Sequence, residues 1–143
     1  MNNCTKENIK AIKEICSKNN INLTEQREKV LQIILDNPAP SKAYDILAKL
    51  KEAKMQPPVV YRALDFLMQN KLVHKINSLN SYIGCPHPGK HKDCYLFICS
   101  KCEGVSECCD SNLSSAINIA AKKIGFDKKE AIIEIRGTCK NCN

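Results

Sequence analysis

Two Cys-x-x-Cys pairs, Cys99-Ser-Lys-Cys102 and Cys139-Lys-Asn-Cys142, constrain this chain more than any other feature. Together they supply four thiolates to one tetrahedral ion, and zinc suits that shell best. Tyr95-Leu-Phe-Ile98 reads as a strand that delivers the first pair, and Ala131–Gly137 as a strand that delivers the second. Gly104, just past Cys102, is expected to let the backbone fold back, so that Cys99 and Cys102 sit on a knuckle at a strand end. Two disulfides are the competing reading. The opening Met1-Asn-Asn-Cys-Thr-Lys has no apolar signal core, so export is not indicated and a cytoplasmic location is expected. A redox Cys-x-x-Cys would open a helix in a βα unit, and neither pair does.

The chain has 143 residues, enough for one domain or two small ones. Two domains of that size each have a thin core, which a metal staple or a dimer interface would reinforce. No long apolar run is present, so no membrane span is expected. The net charge of +7 suits a polyanionic partner. Residues 1–80 hold 13 Lys/Arg against 8 Asp/Glu, and residues 81–143 hold 9 against 7. All three His and eight of the ten Cys lie from Lys71 onward. A basic half therefore precedes a half rich in metal ligands.

Helical periodicity fills the basic half. Ile9, Ile12 and Cys16 form one stripe of a helix over residues 5–18, with Cys16 read as a core residue and Cys4 as an incidental thiol. Thr24 is placed to cap a helix over 25–36 whose buried face is Val30, Leu31, Ile34 and Leu35. Ser41 is expected to cap a third helix over about 42–53, with Ala43, Ile46, Leu47 and Leu50 inward. Pro57 and Pro58 suit the first turn of a fourth, which runs to about Asn70 and buries Val60, Ala63, Leu64 and Leu67. Residues 72–76 and 81–84 read as two short strands joined by the polar turn Asn77–Asn80.

Helices followed by a small hairpin make a winged helix-turn-helix, with the fourth helix as reader of the major groove and the hairpin as wing. Tyr61 and Arg62 lie on the exposed face of that helix, near its start, and Arg can bridge guanine O6 and N7. Taken singly, Arg62 reads as a solvated charge and Tyr61 as a half-buried ring. Together, on the helix this layout presents, they favour DNA contact. Tyr44 falls at the edge of an apolar face, where packing and DNA contact are both open.

Leu23-Thr-Glu-Gln-Arg27, Ser41-Lys-Ala-Tyr-Asp45, Pro58 through Leu67, Val73-His-Lys75 and Phe97 through Gly104 occur in an order that resembles the ferric-uptake-regulator family of metal-dependent bacterial repressors. Asn80-Ser-Tyr82 followed by Cys85 is most similar to its zinc-uptake-regulator branch. Glu25 stands where Pro is frequent in the family, and Val59 where Thr is usual. The His-rich run that precedes the first Cys pair in iron-type members is absent.

The resemblance implies an α+β protein: a winged-helix DNA-binding domain (1–82), a hinge and metal-binding loop (83–92), and a small α/β dimerisation domain (93–143) with the four-cysteine zinc site. Residues 95–99, 104–107 and 131–136 read independently as strands. Residues 111–124 read as a helix with Leu113, Ile117, Ala120, Ala121 and Ile124 on one face, closed by Gly125. By resemblance, a regulatory zinc is held by His74, Cys85, His91 and Glu107, making two Zn2+ per subunit. His87 is the rival to His91, Cys94 a more distant one, and Cys108 and Cys109 adjoin Glu107. The implied function is a homodimeric, zinc-responsive repressor that binds operator DNA and controls zinc uptake genes. An iron- or peroxide-responsive repressor of the same family is the alternative. No enzyme is expected, because a zinc nucleobase deaminase needs a His-x-Glu ahead of its Cys-x-x-Cys, and none of the three histidines provides one.

Overall fold

The protein is described by a computed structural model that covers residues 3–85, 88 and 93–143. The chain divides into two compact units, Met1–Gly89 and Lys90–Asn143.

The first unit runs α1 (Asn3–Lys18), α2 (Glu25–Asp36), β1 (Ser41–Lys42), α3 (Ala43–Lys51), α4 (Pro57–Gln69), β2 (Val73–Ile76) and β3 (Ser81–Gly84). Thr24 caps α2 as expected, its hydroxyl accepting from the Arg27 amide at 3.4 Å. Pro57 and Pro58 occupy the first turn of α4, where a missing N–H costs nothing. The apolar stripes converge on one core of Ile12, Val30, Leu31, Ile34, Ile46, Leu50, Leu64 and Leu67, closed below by Leu72, Val73 and Tyr82 of the hairpin. Each such side chain contributes roughly 1.5–3 kcal/mol by leaving water. Cys16 sits in this core as a small apolar residue.

One expectation fails here. Ser41 does not cap α3; it lies in β1, paired antiparallel with Tyr82 of β3, while Lys42 takes the cap position without a side-chain hydrogen bond. The Ser41 hydroxyl instead accepts from the Asn37 side-chain amide at 3.1 Å. The wing is therefore a three-stranded sheet, ordered β1-β3-β2, rather than a bare hairpin. Its tip, Asn77–Leu79, is a 3-10 turn that ends on Asn80 in the left-handed region, a conformation Asn tolerates.

The second unit comprises β4 (Asp93–Cys99), β5 (Val105–Cys108), α5 (Ser111–Lys123) and β6 (Ala131–Gly137). The sheet order is β5-β4-β6, with β4 antiparallel to β5 and parallel to β6. Parallel neighbours need a crossover, and α5 supplies it. Asp110 caps α5 by accepting from the Leu113 amide at 2.9 Å, and Gly125 follows it at a φ of +69°, closing the helix as expected. The apolar face expected for α5 is only partly covered within this chain. Ala121 is buried, but Leu113 and Ile124 are exposed, as are Ile119, Phe126, Phe97 and Ile132.

Sequence reasoning passed over Asp93, which opens β4. Its carboxylate is buried, accepts both Lys128 contacts at 2.6 and 2.8 Å, and accepts from the Ala131 amide at 2.9 Å. It thus ties the start of β4 to the start of β6. Burial works to raise its pKa, but hydrogen bonds from Lys128, Ser114 and the Ala131 amide, with the ammonium charge, outweigh that and hold it below the ordinary carboxyl value. Because the folded pKa is depressed, the stabilisation is complete above the unfolded value of about 3.9 and fades as pH falls through the folded one. Asp93→Asn leaves the Lys128 ammonium without its counter-charge, and the expected loss near neutral pH is roughly 3 kcal/mol. Denaturant titrations of the two proteins should differ at neutral pH and converge in acid; a gap of equal size at both would show that the ion pair is not the source.

Candidate metal centre and nucleic-acid face

The two Cys-x-x-Cys knuckles meet because β4 and β6 run parallel and in register. Cys99, the last residue of β4, stands opposite Gly137, the last of β6, and the Ser100 amide donates to the Gly137 carbonyl at 2.8 Å. Both strands therefore release their knuckles at one end of the sheet. The sulfurs of Cys99, Cys102, Cys139 and Cys142 all lie within 4.8 Å of one another, and Cys102 and Cys139 are 3.8 Å apart. Tetrahedral sulfurs on Zn–S bonds of about 2.3 Å stand about 3.8 Å apart, whereas a disulfide needs about 2.05 Å. The donor set fits a zinc ion and does not fit a disulfide between that pair.

The first knuckle turns differently from expectation. Glu103, at a φ of 58°, takes the left-handed conformation that Gly104 was expected to supply. The Cys99 amide donates to the Gly104 carbonyl at 2.9 Å and the Glu103 amide to the Cys99 carbonyl at 3.0 Å. Gly104 has another role, since a Cβ there would lie 3.2 Å from the Cys102 sulfur. On the second knuckle, the Lys101 ammonium donates to the Cys142 carbonyl at 2.9 Å and joins the two loops.

Electrostatics separates the four thiols. Amides of Cys139, Cys102 and Lys101 hydrogen-bond the Cys99 sulfur and lower its pKa to about 6. Cys142 is pushed up to about 12, because its proton is shared with the sulfurs of Cys139 and Cys102 and burial opposes a further charge. One thiol ionises readily and another resists for want of positive charge. A divalent cation supplies that charge and allows four thiolates to coexist.

In the first unit, α4 presents Tyr61, 46% exposed, and Arg62, whose Nε donates to the Pro58 carbonyl at 3.3 Å. Tyr44 on α3 is 79% exposed, which sets aside the packing alternative. Lys75 of the wing lies over the Tyr82 ring at 5.9 Å. Sequence reasoning gave no role to Arg27, whose guanidinium stacks 3.5 Å from the centroid of Phe66 on α4. Its membership of the Leu23–Arg27 motif was the available signal.

The residues assigned to a regulatory metal fall in both units. His74 on β2 and Cys85 just after β3 are buried and offer ligand atoms within 4.8 Å of each other. In the second unit, Glu107 lies on β5 opposite Leu96, and the exposed Cys109 thiol donates to its Oε1 at 3.7 Å. Cys94 is buried on β4. His91, its rival His87 and the Cys4 side chain lie outside the described residues, as does most of the expected 83–92 hinge.

A winged helix-turn-helix, followed in the chain by a small sheet that gathers four thiols, defines a winged-helix protein with a metal-centre domain. The chain belongs to the ferric uptake regulator family, whose sequence profile matches residues 18–136. It is 38% identical over 142 residues to the zinc uptake regulation protein of Escherichia coli strain K12, spanning 96% of this chain and 82% of that one. Among solved structures, a zinc uptake regulator complexed with zinc and DNA is similar at a TM-score of 0.91 and 36% identity, covering 99% of this chain and 96% of the other. The crystal structure of holo XcZur is similar at 0.87 and 38%, covering 94% and 95%. Among the described residues, no helix is long and apolar enough to cross a membrane.

The four-thiol centre yields a direct prediction. Cys102→Ser should lose the zinc bound there and lower the thermal transition of the second unit, because structural zinc contributes on the order of 10 kcal/mol of apparent binding energy. Zinc content by mass spectrometry and a melting curve provide the check; full zinc content with an unchanged transition would refute a structural role.

Proposed function

We propose that this chain is a zinc-responsive, DNA-binding transcriptional repressor that controls zinc uptake genes and acts as a homodimer. One observation carries the reading: a relative similar along 99% of this chain is described as a zinc uptake regulator complexed with both zinc and DNA. This chain has its own features that suit each ligand, namely four clustered thiols and a winged-helix unit with Tyr61 and Arg62 exposed. The exposed Phe97, Ile119, Ile124, Phe126 and Ile132 of the second unit support pairing with a second copy, since apolar surface of that extent is best buried.

In this reading, residues 1–82 bind DNA, 83–92 form the hinge, and 93–143 dimerise. Two zinc ions are held per subunit. The first occupies the four-cysteine centre and stabilises the fold. The second is assigned, on resemblance to the zinc-sensing branch, to His74, Cys85, His91 and Glu107. Two imidazoles, a thiolate and a carboxylate form a tetrahedral N/O/S shell, and the soft Cys85 thiolate favours zinc over iron. Zinc supplies a bond that side chains from both domains share. Ligation by His74 and Cys85 together with Glu107 would restrict the hinge, and in a dimer that restriction sets the spacing of the two α4 helices. Only some spacings match two half-sites on one face of a duplex. Coupling of roughly 1–3 kcal/mol would raise DNA affinity by about 5–150-fold.

Two substitutions test the reading. Cys85→Ser should keep the four-thiol zinc and the dimer but lose about one zinc per subunit and most of the zinc-stimulated DNA binding. Operator binding measured against free zinc decides this, and a serine variant with an unchanged midpoint would move the switch to other residues. Arg62→Ala should cost about 1–3 kcal/mol on operator DNA and relax discrimination at one base position. Binding to operator and random duplexes that matches wild type would reduce Arg62 to a solvated charge.

A further inference from the structure

We propose that the notch between α2 and α4 seats a backbone phosphate of the bound duplex, with Arg27 as its anchor. This inference rests on the DNA-binding reading above. The notch measures about 320 Å3 and is lined by Thr24, Gln26 and Arg27 at the start of α2 and by Val59, Arg62 and Ala63 of α4. Two guanidinium-bearing residues from separate helices line one concave space, and no carboxylate is among the six. A concave wall that carries two cationic residues and no carboxylate is attractive to an anion.

Both guanidiniums are held in place. Arg27 donates from Nη1 to the Asn22 carbonyl at 2.6 Å and stacks on Phe66 at 3.5 Å. Arg62 donates from Nε to the Pro58 carbonyl at 3.3 Å. A guanidinium carries five N–H donors, so the Asn22 contact leaves Arg27 others for an incoming phosphate oxygen, while Arg62 remains the base-reading residue. Planar donors in a fixed orientation match phosphate oxygens better than a mobile ammonium does. Thr24 and Gln26 add polar groups to the same wall.

The position of the notch identifies the phosphate. Arg62 sits on the exposed face of α4, so a groove read by α4 brings its bordering strand past the notch. Phosphate contacts fix register and orientation while base contacts specify. Arg27 is well suited to the first task, because its stack on Phe66 joins the phosphate contact to the reading helix itself. Arg27 would therefore be a positioning residue, and its loss would weaken all sequences alike.

The test uses the full chain loaded with zinc, with R27M and R27K compared to wild type on an operator-bearing fragment and a scrambled duplex over a salt series. R27M keeps the apolar stem and removes the charge. Its affinity should fall on the order of tenfold on both duplexes, and the slope of log affinity against log salt should become shallower by about 0.9, the value of one lost phosphate contact. R27K keeps the charge and should retain the wild-type slope. A wild-type slope in folded R27M overturns the proposal. So does an R27K slope as shallow as that of R27M, because shape rather than charge would then be at work. If R27M unfolds, R27Q takes its place, since it also removes the charge: a slope shallower by about one contact supports the seat and a wild-type slope overturns it. Wild-type protein that binds neither duplex at any zinc concentration removes the DNA reading and the seat with it.

Discussion

The parallel pairing of β4 with β6 is the constraint from which the second unit follows. Parallel strands release their chain ends on the same side, so Cys99 and Gly137 come level and the two knuckles face each other. The pairing is fixed at both ends by different chemistry. At the entry, the Asp93 carboxylate joins Lys128 and the Ala131 amide. At the exit, thiols and the Ser100–Gly137 hydrogen bond do so. A slip of one residue would turn every side chain of β6 to the other face and carry Cys139 away from Cys99. The crossover helix is correspondingly well defined, with Asp110 at its start and Gly125 at its end.

The first unit reaches the same precision by packing. Its helix α4 buries Val60, Ala63, Leu64 and Leu67 against the core and leaves Tyr61 and Arg62 outside. Pairing of Ser41 with Tyr82 attaches the wing to the segment before α3, so wing and helices share one framework. Phe66 is covered by the Arg27 guanidinium, which places a cation where a purely apolar contact would otherwise serve. Packing and charge are thus combined at the junction of α2 with α4.

Most of this was legible from local pattern. The stripes of α2, α3 and α4 have the helical period and bury largely as that period dictates, with Leu35 and Leu47 half-buried at the edge of the core. The spacing of the four cysteines specified a ligand set because two-residue gaps are short enough to form knuckles wherever strands end. What escaped was set by long-range pairing. Ser41 looks like a cap in its local context, and only its partner Tyr82, distant in the chain, makes it a strand residue. Asp93 reads as one acid among many until Lys128 and Ala131 are brought beside it. Glu103 adopts the left-handed turn although the neighbouring glycine carries the stronger local signal; what Gly104 supplies is the missing Cβ beside the Cys102 sulfur. For α5, helical periodicity shows which residues share a side but not whether this chain alone covers it, and Leu113 and Ile124 stay exposed.

The sulfurs at the end of the β4–β6 ladder lie close in space but 37 or more positions apart from one knuckle to the other, as Cys102 and Cys139 show. Bringing them together closes a loop that contains the whole of α5, an entropic cost that local contacts cannot offset until the crossover is in place. The first knuckle alone offers a nascent chain only two of the four ligands. Metal capture by the complete set therefore becomes a late step that reports on sheet assembly. Any fault in the crossover, however far from a cysteine, should be read out as slow or incomplete metal uptake.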